Sequence, residues 1–489
     1  MRPTFLGFET ARKGMAANQK AIDVTGQNIV NINTPGYTRQ RLDLVSMTTS
    51  GLANRFAEPT ANMAGQGVKM VGVGQIRNSY LDSRFREEIA NTSYYDKAMS
   101  ITEGIESALN EVSAVGLNSV LSDFINGALQ EFHKKPKEVT SANIVMSSAK
   151  NITQLIRQYD TQLSGLAEQQ YFDLEVEVNR MNATLEKIAA LNKQISDEQV
   201  HNQTGNMTYG VNELLDQRNL LLDDLATFGN IRVTDEADGS VTVVMNEQVV
   251  VKGKTHDKVN LAKSGNDHTV LVTWEGTGKN VVVESGSLRA NIDLINGVAG
   301  EAKGVQFYRN QLDLFASKFA SIMNTAFKKE IVESGVKKQV PMQLINESSD
   351  IITASNITIN KEWMANSAII LNDTQRQGDL DQAYILKLIN NLEGKQTIGT
   401  FEGSLAEFVD YYNTTLGQDL TYYKGRFEAS LSVADDLNDR RDAISAVNLD
   451  EEGSYMMMYE KAYQATARLM TTLDEALDVL INRTGLVGR

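Results

Sequence analysis

The chain contains no cysteine. Disulfide bonds, thiol nucleophiles and cysteine-ligated zinc sites are therefore excluded, whatever compartment the protein occupies. Histidine is also scarce, with four residues, and none has a second histidine or a carboxylate at a spacing typical of metal ligands. The sequence predicts no metal site and no cofactor.

Proline is rare, with five residues in 489, and none lies between Pro136 and Pro341. Because proline breaks helices, this absence permits long uninterrupted helices in the middle of the chain. No stretch approaches the roughly 18 apolar residues of a membrane span, and the N-terminus lacks the apolar core of a cleavable signal peptide. We therefore expect a cytoplasmic protein, unless an export route recognises an uncleaved N-terminus.

Positive charge is in deficit, with 47 Lys and Arg residues against 62 Asp and Glu residues and a formal net charge of -15. This balance argues against a general nucleic-acid binder, because surfaces that follow phosphates need an excess of Lys and Arg. The length allows two to four domains, and a hydrophobic fraction of 42% indicates that most of the chain folds.

The two ends of the chain carry matching heptad patterns, in which apolar or small residues alternate at spacings of three and four. The N-terminal set is Phe8, Ala11, Met15, Asn18, Ile22, Thr25, Ile29 and Ile32. The C-terminal set is Met456, Tyr459, Tyr463, Thr466, Met470, Leu473, Leu477 and Leu480. We expect two amphipathic helices that pack together, with Asn448 as the N-cap of the second. Ala, Asn and Thr make the N-terminal pattern weak in isolation.

The middle of the chain alternates between helical and β-type patterns. We expect a mainly α chain with β insertions, elongated and multidomain, with paired terminal helices as a coiled coil, a helical bundle in the middle and a small β-rich inserted domain. Within the β-type segments, Val281–Val283 and "ASNITIN" at 354–360 are expected strands. The predicted domains are 1–37 plus 446–489 (terminal coiled coil), 38–75 (connecting loop or β-hairpin), 76–230 plus 286–333 plus 375–445 (helical bundle), 231–285 (β-rich insertion) and 334–374 (mixed).

A search for catalytic groupings finds none. "GTGKN" at 276–280 lacks the spacing of a phosphate-binding loop, and no serine lies in a G-x-S-x-G turn. Asp450, Glu451 and Glu452 are a candidate cation site, although three acidic residues at a helix start are ordinary partners of the helix dipole. The sequence predicts that the protein is not an enzyme.

The stretch "NIVNINTPGYTRQR" at 28–41 ends the first helical pattern abruptly. Pro35 forbids helix continuation and Gly36 allows the backbone to turn. Together with "GQ" before it, this stretch resembles the N-terminal signature of the bacterial flagellar axial proteins, the rod, hook and hook-associated proteins. "SAVNLDEEGSYMMMYEKAYQATARLMTTLDEALDVL" at 445–480 resembles the C-terminal signature of the same family. The segments "VGVGQIRNSYLDSRFREE" at 71–88 and "LLDQRNLLLDDLATFGNIRVTDEADGSVTV" at 214–243 are similar to the hook-associated group.

The resemblance implies a structural role in the flagellum and in motility, at the junction of hook and filament. It implies that the terminal helices pair in the inner tube, and that the chain is secreted through the flagellar type III export channel. It also implies a ring of about eleven copies. The implied partners are other copies of the chain, the hook protein, the second junction protein and an export chaperone at the C-terminal helix, with no nucleic acid and no membrane insertion.

We predict an assembly interface at the two ends of the chain. Its candidate residues are Phe8, Met15, Ile22, Ile29, Ile32, Pro35, Gly36, Tyr37, Arg39, Arg41, Met456, Tyr459, Tyr463, Met470, Leu473, Leu477 and Leu480. Several roles stay open. Tyr459 and Tyr463 are either anchors between subunits or partners of the N-terminal helix, and Arg39 and Arg41 either pair with acidic residues of a neighbour or lie at a solvated edge.

Two other functions also remain open. Another axial role, as a hook or distal-rod protein, is the main alternative, although the helical pattern at 149–199 is long for those proteins. An enzyme or adhesin carried in the insertions is the third, and the 231–284 region has no clustered nucleophile, base and orienting group to support it.

Overall fold

The computed structural model describes residues 6–47, 67–109, 116–201, 211–264, 269–297, 302–333, 336–347, 351–372 and 382–483. The chain folds into two compact units. The terminal unit comprises Met1–Ile89, Ala183–Asp257 and Ser432–Arg489, and the central unit comprises Ala90–Asn182 and Lys258–Leu431. Both units therefore combine segments that are far apart in the sequence. The division into two units is coarser than the set of five domains expected from the sequence, which stays a prediction.

Helices dominate the fold, in agreement with the predicted class. The α-helices are α1 (Leu6–Val30), α2 (Ser79–Leu109), α3 (Leu117–Ser122), α4 (Gln130–Lys134), α5 (Val139–His201), α6 (Asn212–Phe228), α7 (Ser287–Asn296), α8 (Val305–Ala326), α9 (Lys361–Ala365), α10 (Ala383–Glu393), α11 (Leu405–Ser445) and α12 (Leu449–Asp478). Short π-helical turns at Asp123–Leu129 and Val479–Arg483 and a 3₁₀ turn at Ser367–Asn372 complete the helical set. The 63 residues of α5 begin soon after Pro136, as the absence of proline beyond it permits.

All sheets in the described residues are small and antiparallel. The strands are β1 (Gln40–Ser46), β2 (Val68–Gln75), β3 (Ile231–Asp235), β4 (Val241–Met245), β5 (Gln248–Lys252), β6 (Thr255–His256), β7 (Val259–Ser264), β8 (Thr269–Trp274), β9 (Lys328–Glu333), β10 (Val336–Pro341), β11 (Gln396–Ile398) and β12 (Phe401–Gly403). β3 to β6 form one four-stranded sheet in chain order, and the other strands pair as two-stranded hairpins.

Two strands expected from the sequence are not formed. In the segment 354–360, residues 354–356 form a turn and Ile359 makes a single bridge, to Ile345. Residues 281–283 are likewise outside any strand, and the nearest pairing is a bridge between Thr273 and Asn280. The first difference has a clear cause, because the side chain of Asn346 takes bonds that a partner strand would make, accepting from Thr358 N and donating to Asn356 O.

In the terminal unit, a buried asparagine joins α5 to the four-stranded sheet. Asn192 Nδ2 donates to the carbonyl oxygens of Val241 and Gly253, at 3.0 and 2.9 Å. Its Oδ1 accepts from Val241 N at 3.1 Å and from Arg218 Nη1 at 3.0 Å. All four bonds of the amide are made, which is why a polar residue is tolerated at a fully buried position of α5.

The central unit has a conventional aromatic and aliphatic core. Phe315 and Phe319 on α8 stack at 6.4 Å between ring centroids, and Phe124 meets Phe319 edge-on at 5.9 Å. Trp363 and Phe408 are fully buried in the same cluster. Burial of apolar side chains is the main stabilising contribution in folded domains, so this core is expected to stabilise the central unit.

Candidate functional site at the paired termini

Helices α1 and α12 pack against each other in an antiparallel register, which confirms the predicted pairing of the two ends. A Cβ atom added to Gly7 would lie 3.1 Å from Leu473 Cδ1, and one added to Gly14 would lie 3.3 Å from Thr466 Cγ2. Further along, Asn28 Nδ2 donates to Glu452 Oε2 at 3.0 Å. Each step of seven or fourteen residues forward on α1 is therefore matched by an equal step backward on α12.

The face of α1 that packs shares Ala11 and Thr25 with the predicted set but takes small residues in place of its large ones. Ala11, Ala21 and Thr25 are buried, as is Asn28, and with Gly7 and Gly14 they form a face of small residues. The reason is steric, because small side chains let two helix axes approach closely. The large residues of the predicted pattern lie about 100° around the helix, one position after Gly7, Gly14, Ala21 and Asn28.

Those large residues are incompletely covered. Phe8, Met15, Ile22 and Ile29 are half-buried. Ile32 is exposed and lies beyond Val30, where α1 ends, so it is not part of the helix pair. The role of these residues in assembly stays a prediction.

On α12 the predicted face is less exposed to solvent than the rest of the helix surface. Its half-buried members are Met456, Tyr459, Tyr463, Thr466, Met470, Leu473 and Leu477. Leu480 is exposed and follows the end of the α-helix, in the π-helical turn. Within α12, all of whose residues are described, Glu452 alone is fully buried. The helix pair therefore leaves much of the apolar surface of α12 in contact with solvent.

Asn28 is a hydrogen-bonding hub that connects the end of α1 to both β1 and α12. Its Nδ2 donates to Gln40 O at 2.9 Å as well as to Glu452. Its Oδ1 accepts from Gln40 N at 3.0 Å and from the Tyr37 hydroxyl at 2.9 Å. Burial, together with the charges of Asp216, Glu213 and Glu452, raises the pKa of Tyr37, so its hydroxyl stays protonated as a donor.

Arg39 forms the second link between β1 and α12. Its Nε donates to Glu452 Oε1 at 2.7 Å and its Nη1 to Glu451 Oε2 at 2.9 Å, while its guanidinium lies 5.5 Å from the centroid of the Tyr455 ring. The side chain of Glu452 is 3% exposed, so this is a buried ion pair. In the monomer Arg39 neither pairs with acidic residues of a neighbour nor lies at a solvated edge, because its acidic partners belong to its own chain.

The acidic start of α12 thus has defined partners within the chain. Asn448 caps the helix by accepting from Asp450 N and Glu451 N, as expected. In the described part of the chain, no three His, Asp or Glu side chains are grouped to hold a metal ion. Arg41, by contrast, is an exposed residue that pairs with Asp43 of its own strand at 3.0 Å.

The turn between α1 and β1 follows the expected motif. Thr34 N donates to Asn31 O at 2.9 Å and Tyr37 N to Thr34 O at 3.1 Å. Gly36 has φ +77°, a conformation that favours glycine, and an added Cβ would lie 3.5 Å from Leu220 Cβ. Pro35 is exposed at the outside of this turn. The motif thereby reverses the chain so that Tyr37 and Arg39 reach back to α1 and α12.

A pocket of about 190 Å³ lies beside this junction. It is lined by α1, the start of β1 and the first turns of α12, with Ala21, Val24, Leu42, Tyr455 and Tyr459 among its walls. The rings of Tyr455 and Tyr459 stack at 6.2 Å between centroids. Burial, then Tyr455 and Glu452, raise the pKa of Tyr459. Tyr459 thus lies against α1 in the monomer.

An ionic network that the sequence did not predict joins α2, α6 and α11 in the terminal unit. Arg86 Nε and Arg441 Nη1 each donate to the carboxylate of Asp223 at 2.7 Å. Arg77 forms two hydrogen bonds to Asp82, and Arg441 lies 3.8 Å from Asp82. The residues of this network are far apart in the sequence, and Arg77 and Arg441 are separated by 364 positions. Only the tertiary structure therefore reveals the network.

A buried carboxylate lies at the base of the β1–β2 hairpin. Asp216 Oδ1 accepts from Gln75 Nε2 at 2.8 Å. Burial raises the pKa of Asp216 to about 6, against the lowering effects of Thr38 and Arg77. This group therefore changes charge near neutral pH.

Comparison with known proteins identifies the family. A model described as "Flagellar hook-associated protein FlgK helical domain" matches residues 102–338. Models described as "Flagella basal body rod protein" and "Flagellar basal body rod FlgEFG protein C-terminal" match residues 8–38 and 442–483, which contain most of α1 and all of α12. Flagellar hook-associated protein 1 of Bacillus subtilis is 31% identical over 526 residues, with 100% of each chain covered. The chain belongs to the flagellar hook-associated protein 1 family.

More distant relatives agree with this assignment. Flagellar hook-associated protein 1 of Escherichia coli is 21% identical and covers 97% of this chain and 99% of its own. The structure of the flagellar hook junction protein FlgK from Burkholderia pseudomallei shares the fold, with a TM-score of 0.57, 12% identity and coverage of 75% of this chain and 100% of that one. The chain is thus a structural protein of the flagellar hook–filament junction, and not an enzyme. No described helix has the length and apolar character that crossing a membrane requires.

Proposed function

We propose that this family member polymerises through its paired terminal helices into a ring of about eleven subunits, which adapts the hook to the filament. One observation carries the proposal. The α1–α12 pair holds together through small residues and the Asn28–Glu452 hydrogen bond, Arg39 adds a buried ion pair to α12 from just before β1, and large apolar side chains of both helices stay partly or fully exposed. Exposed apolar surface of this kind marks a site of protein association.

The proposed partners follow from the position at the junction. They are the neighbouring copies, the hook protein on one side and the second junction protein on the other. We further propose export through the flagellar type III channel and a chaperone site on α12 around Asp450 to Leu480. A helix whose apolar face is only half covered keeps apolar surface for a second partner, which suits both chaperone binding and late assembly.

Deletion tests this proposal. We expect chains lacking residues 1–32 or residues 450–489 to keep a folded central unit and to stay monomeric, while cells carrying them make hooks without attached filaments. Circular dichroism and sedimentation report the fold and the oligomeric state, and electron microscopy with a labelled antibody reports incorporation at the hook–filament boundary. Filament growth on either truncated chain would contradict the proposal.

A further inference from the structure

The β9–β10 hairpin of the central unit is a basic element in an acidic chain. Its strands contain four lysines and two glutamates, whereas the whole chain has a formal net charge of -15. The hairpin leaves the core at Phe327 and returns to it at Met342, and both side chains are buried. Its exposed lysines are Lys329, Lys337 and Lys338. The hairpin therefore presents positive charge to solvent beside a firmly packed base.

Three buried aromatic rings place the base of the hairpin beside two other segments that carry lysine. The ring of Phe327 lies 6.4 Å from that of Phe132 on α4 and 5.9 Å from that of Tyr384 on α10, between centroids. The sequence "HKKPK" at 133–137 follows Phe132 directly. The exposed lysines of these two segments are Lys134, Lys135, Lys137 and Lys387. We call these four and the three exposed lysines of the hairpin the lysine surface.

Acidic neighbours offset only part of the charge of the lysine surface. Lys337 pairs with Glu330 at 2.8 Å, and Lys135 pairs with Glu131 at 3.2 Å. Among the described residues, Lys329 has no ion-pair partner. Because salt screens charges that are more than about 8 Å apart, the local excess of lysine decides what this surface attracts, and the net charge of the chain matters less.

Exposed aliphatic side chains lie among these lysines. Val332 is 68% exposed and lies opposite Lys337 in the register of the hairpin. Leu386 is 42% exposed and directly precedes Lys387 on α10. Val139, at the start of α5, is 52% exposed. Lysine combined with exposed apolar residues is typical of surfaces that bind anionic membranes, where apolar burial adds to electrostatic attraction.

The composition of the lysine surface favours lipid over nucleic acid. Its cations are all lysines, and the three segments contain no arginine, the residue best suited to reading phosphates and base edges in a fixed geometry. The aromatic rings nearby, Phe132, Phe327 and Tyr384, are buried and cannot stack on bases. Lysines act instead as flexible point charges, which suits a fluid layer of anionic headgroups.

We propose that the lysine surface binds the surface of an anionic phospholipid membrane. The lysine ammonium groups contact the lipid phosphates, and Val332 and Leu386 enter the boundary between headgroups and acyl chains. Binding is peripheral and involves no spanning helix. Each lysine near such a membrane strengthens binding by about fivefold. This activity does not depend on the proposed junction role, and under the proposed export route it would hold a newly made chain near the export channel.

Vesicle binding by the full chain tests the inference. We expect the chain to sediment with vesicles of phosphatidylglycerol and phosphatidylcholine in equal parts, and to dissociate as salt is added. Lys329→Gln combined with Lys338→Gln should weaken binding at least about tenfold. Lys187→Gln combined with Lys193→Gln is the matched control, because it removes two exposed lysines from the terminal unit and changes the net charge equally. Circular dichroism checks that both variants fold.

Three results would overturn the inference. The first is equal binding to vesicles of phosphatidylcholine alone, and the second is an equal loss of binding in the two double variants. The third is a DNA duplex that binds the chain as tightly as the anionic vesicles do, which would make the lysine surface a general polyanion site. None of these results bears on the proposed junction function, which filament growth on the truncated chains tests separately.

A second substitution tests the apolar part of the contact. Val332→Ser keeps every charge, and we expect a several-fold loss of binding to the anionic vesicles, because less apolar surface enters the membrane. Val249→Ser is the control, since Val249 is 42% exposed on β5 in the terminal unit. Unchanged vesicle binding by the Val332→Ser chain would contradict the proposed contact with lipid.

Discussion

The core of the central unit and the contact between the terminal helices are built on different principles. The central core is held by fully buried rings such as Phe315, Phe319 and Trp363. The terminal contact instead combines glycine and alanine packing with the polar hub at Asn28 and the Arg39–Glu452 ion pair. The first arrangement stabilises through buried area, whereas the second fixes a register and leaves apolar surface free. A subunit that must fold before assembly and associate afterwards needs both.

The largest effect should come from the central core. Phe319→Ala should lower the stability of the central unit by about 3–5 kcal/mol, since it leaves a cavity among buried rings. Leu477→Ala on half-buried α12 is the matched comparison and should cost about 1 kcal/mol or less in the monomer. Hydrogen exchange in denaturant, followed separately in α8 and α12, measures both. Equal costs at the two sites would abolish the distinction drawn between these regions.

The next effect should come from the buried ion pair. Arg39→Ala should weaken the docking of α12 by about 3 kcal/mol, because Glu452 would stay buried without its cationic partner. Arg41→Ala, which removes only an exposed pair with Asp43, should cost less than about 0.5 kcal/mol. Exchange rates of α12 amides in the monomer report the change. An effect of Arg39→Ala no larger than that of Arg41→Ala would show that the pair is dispensable.

The close approach of α1 and α12 predicts a smaller effect. Gly14→Leu should separate the two helices and destabilise the pair by about 1–3 kcal/mol, since even a Cβ at this position meets Thr466 at 3.3 Å. Gly26→Leu is the control, because nothing lies within 4 Å of an added Cβ there. That change should stabilise α1 by roughly 0.5–1 kcal/mol through helix propensity. Exchange of α1 amides distinguishes the two variants, and a shared direction of change would contradict the packing argument.

The last prediction is a pH dependence of the terminal unit. The pKa of Asp216 is raised from 3.8 to about 6 in the folded chain, so the folded state binds its proton more tightly than the unfolded state. Its contribution to stability is therefore fully present below about pH 4 and is lost as pH rises through about 6. The loss should amount to about 1–3 kcal/mol.

Asp216→Asn should remove this dependence while its Oδ1 can still accept from Gln75. The difference in unfolding free energy between the variant and the natural chain, measured in urea from about pH 4 to about pH 8, should favour the variant increasingly as pH rises. A difference that does not change with pH would show that Asp216 titrates normally.

Several elements could be predicted because their signals are local. The helix α6 follows an apolar pattern and ends at Phe228, immediately before Gly229. The β3–β4 hairpin turns at Asp238-Gly239, where Gly239 has φ +77°. The breaks before and after α11 likewise occur near Gly394–Thr400 and Ala446, where the helical pattern is interrupted. In each case the residues that decide the structure are adjacent in the sequence.

The missed features depend on partners remote in the chain. Asn28 and Asn192 are buried polar residues on long helices, and each makes four hydrogen bonds to other segments or their side chains. Arg39 meets Glu452 across 413 positions. No sequence spacing predicts such pairs, because their geometry exists only after the segments have packed.

The sequence by itself determined that the two termini are amphipathic helices with matching heptad spacing, that the first must stop before Pro35, and that no thiol chemistry is present. Only the tertiary structure decided which face of α1 packs. Adjacent stripes on a helix share the same seven-residue period, so periodicity cannot choose between the small residues at Gly7, Gly14 and Ala21 and the large ones beside them. Close approach to α12 makes that choice, because only small side chains leave room for it.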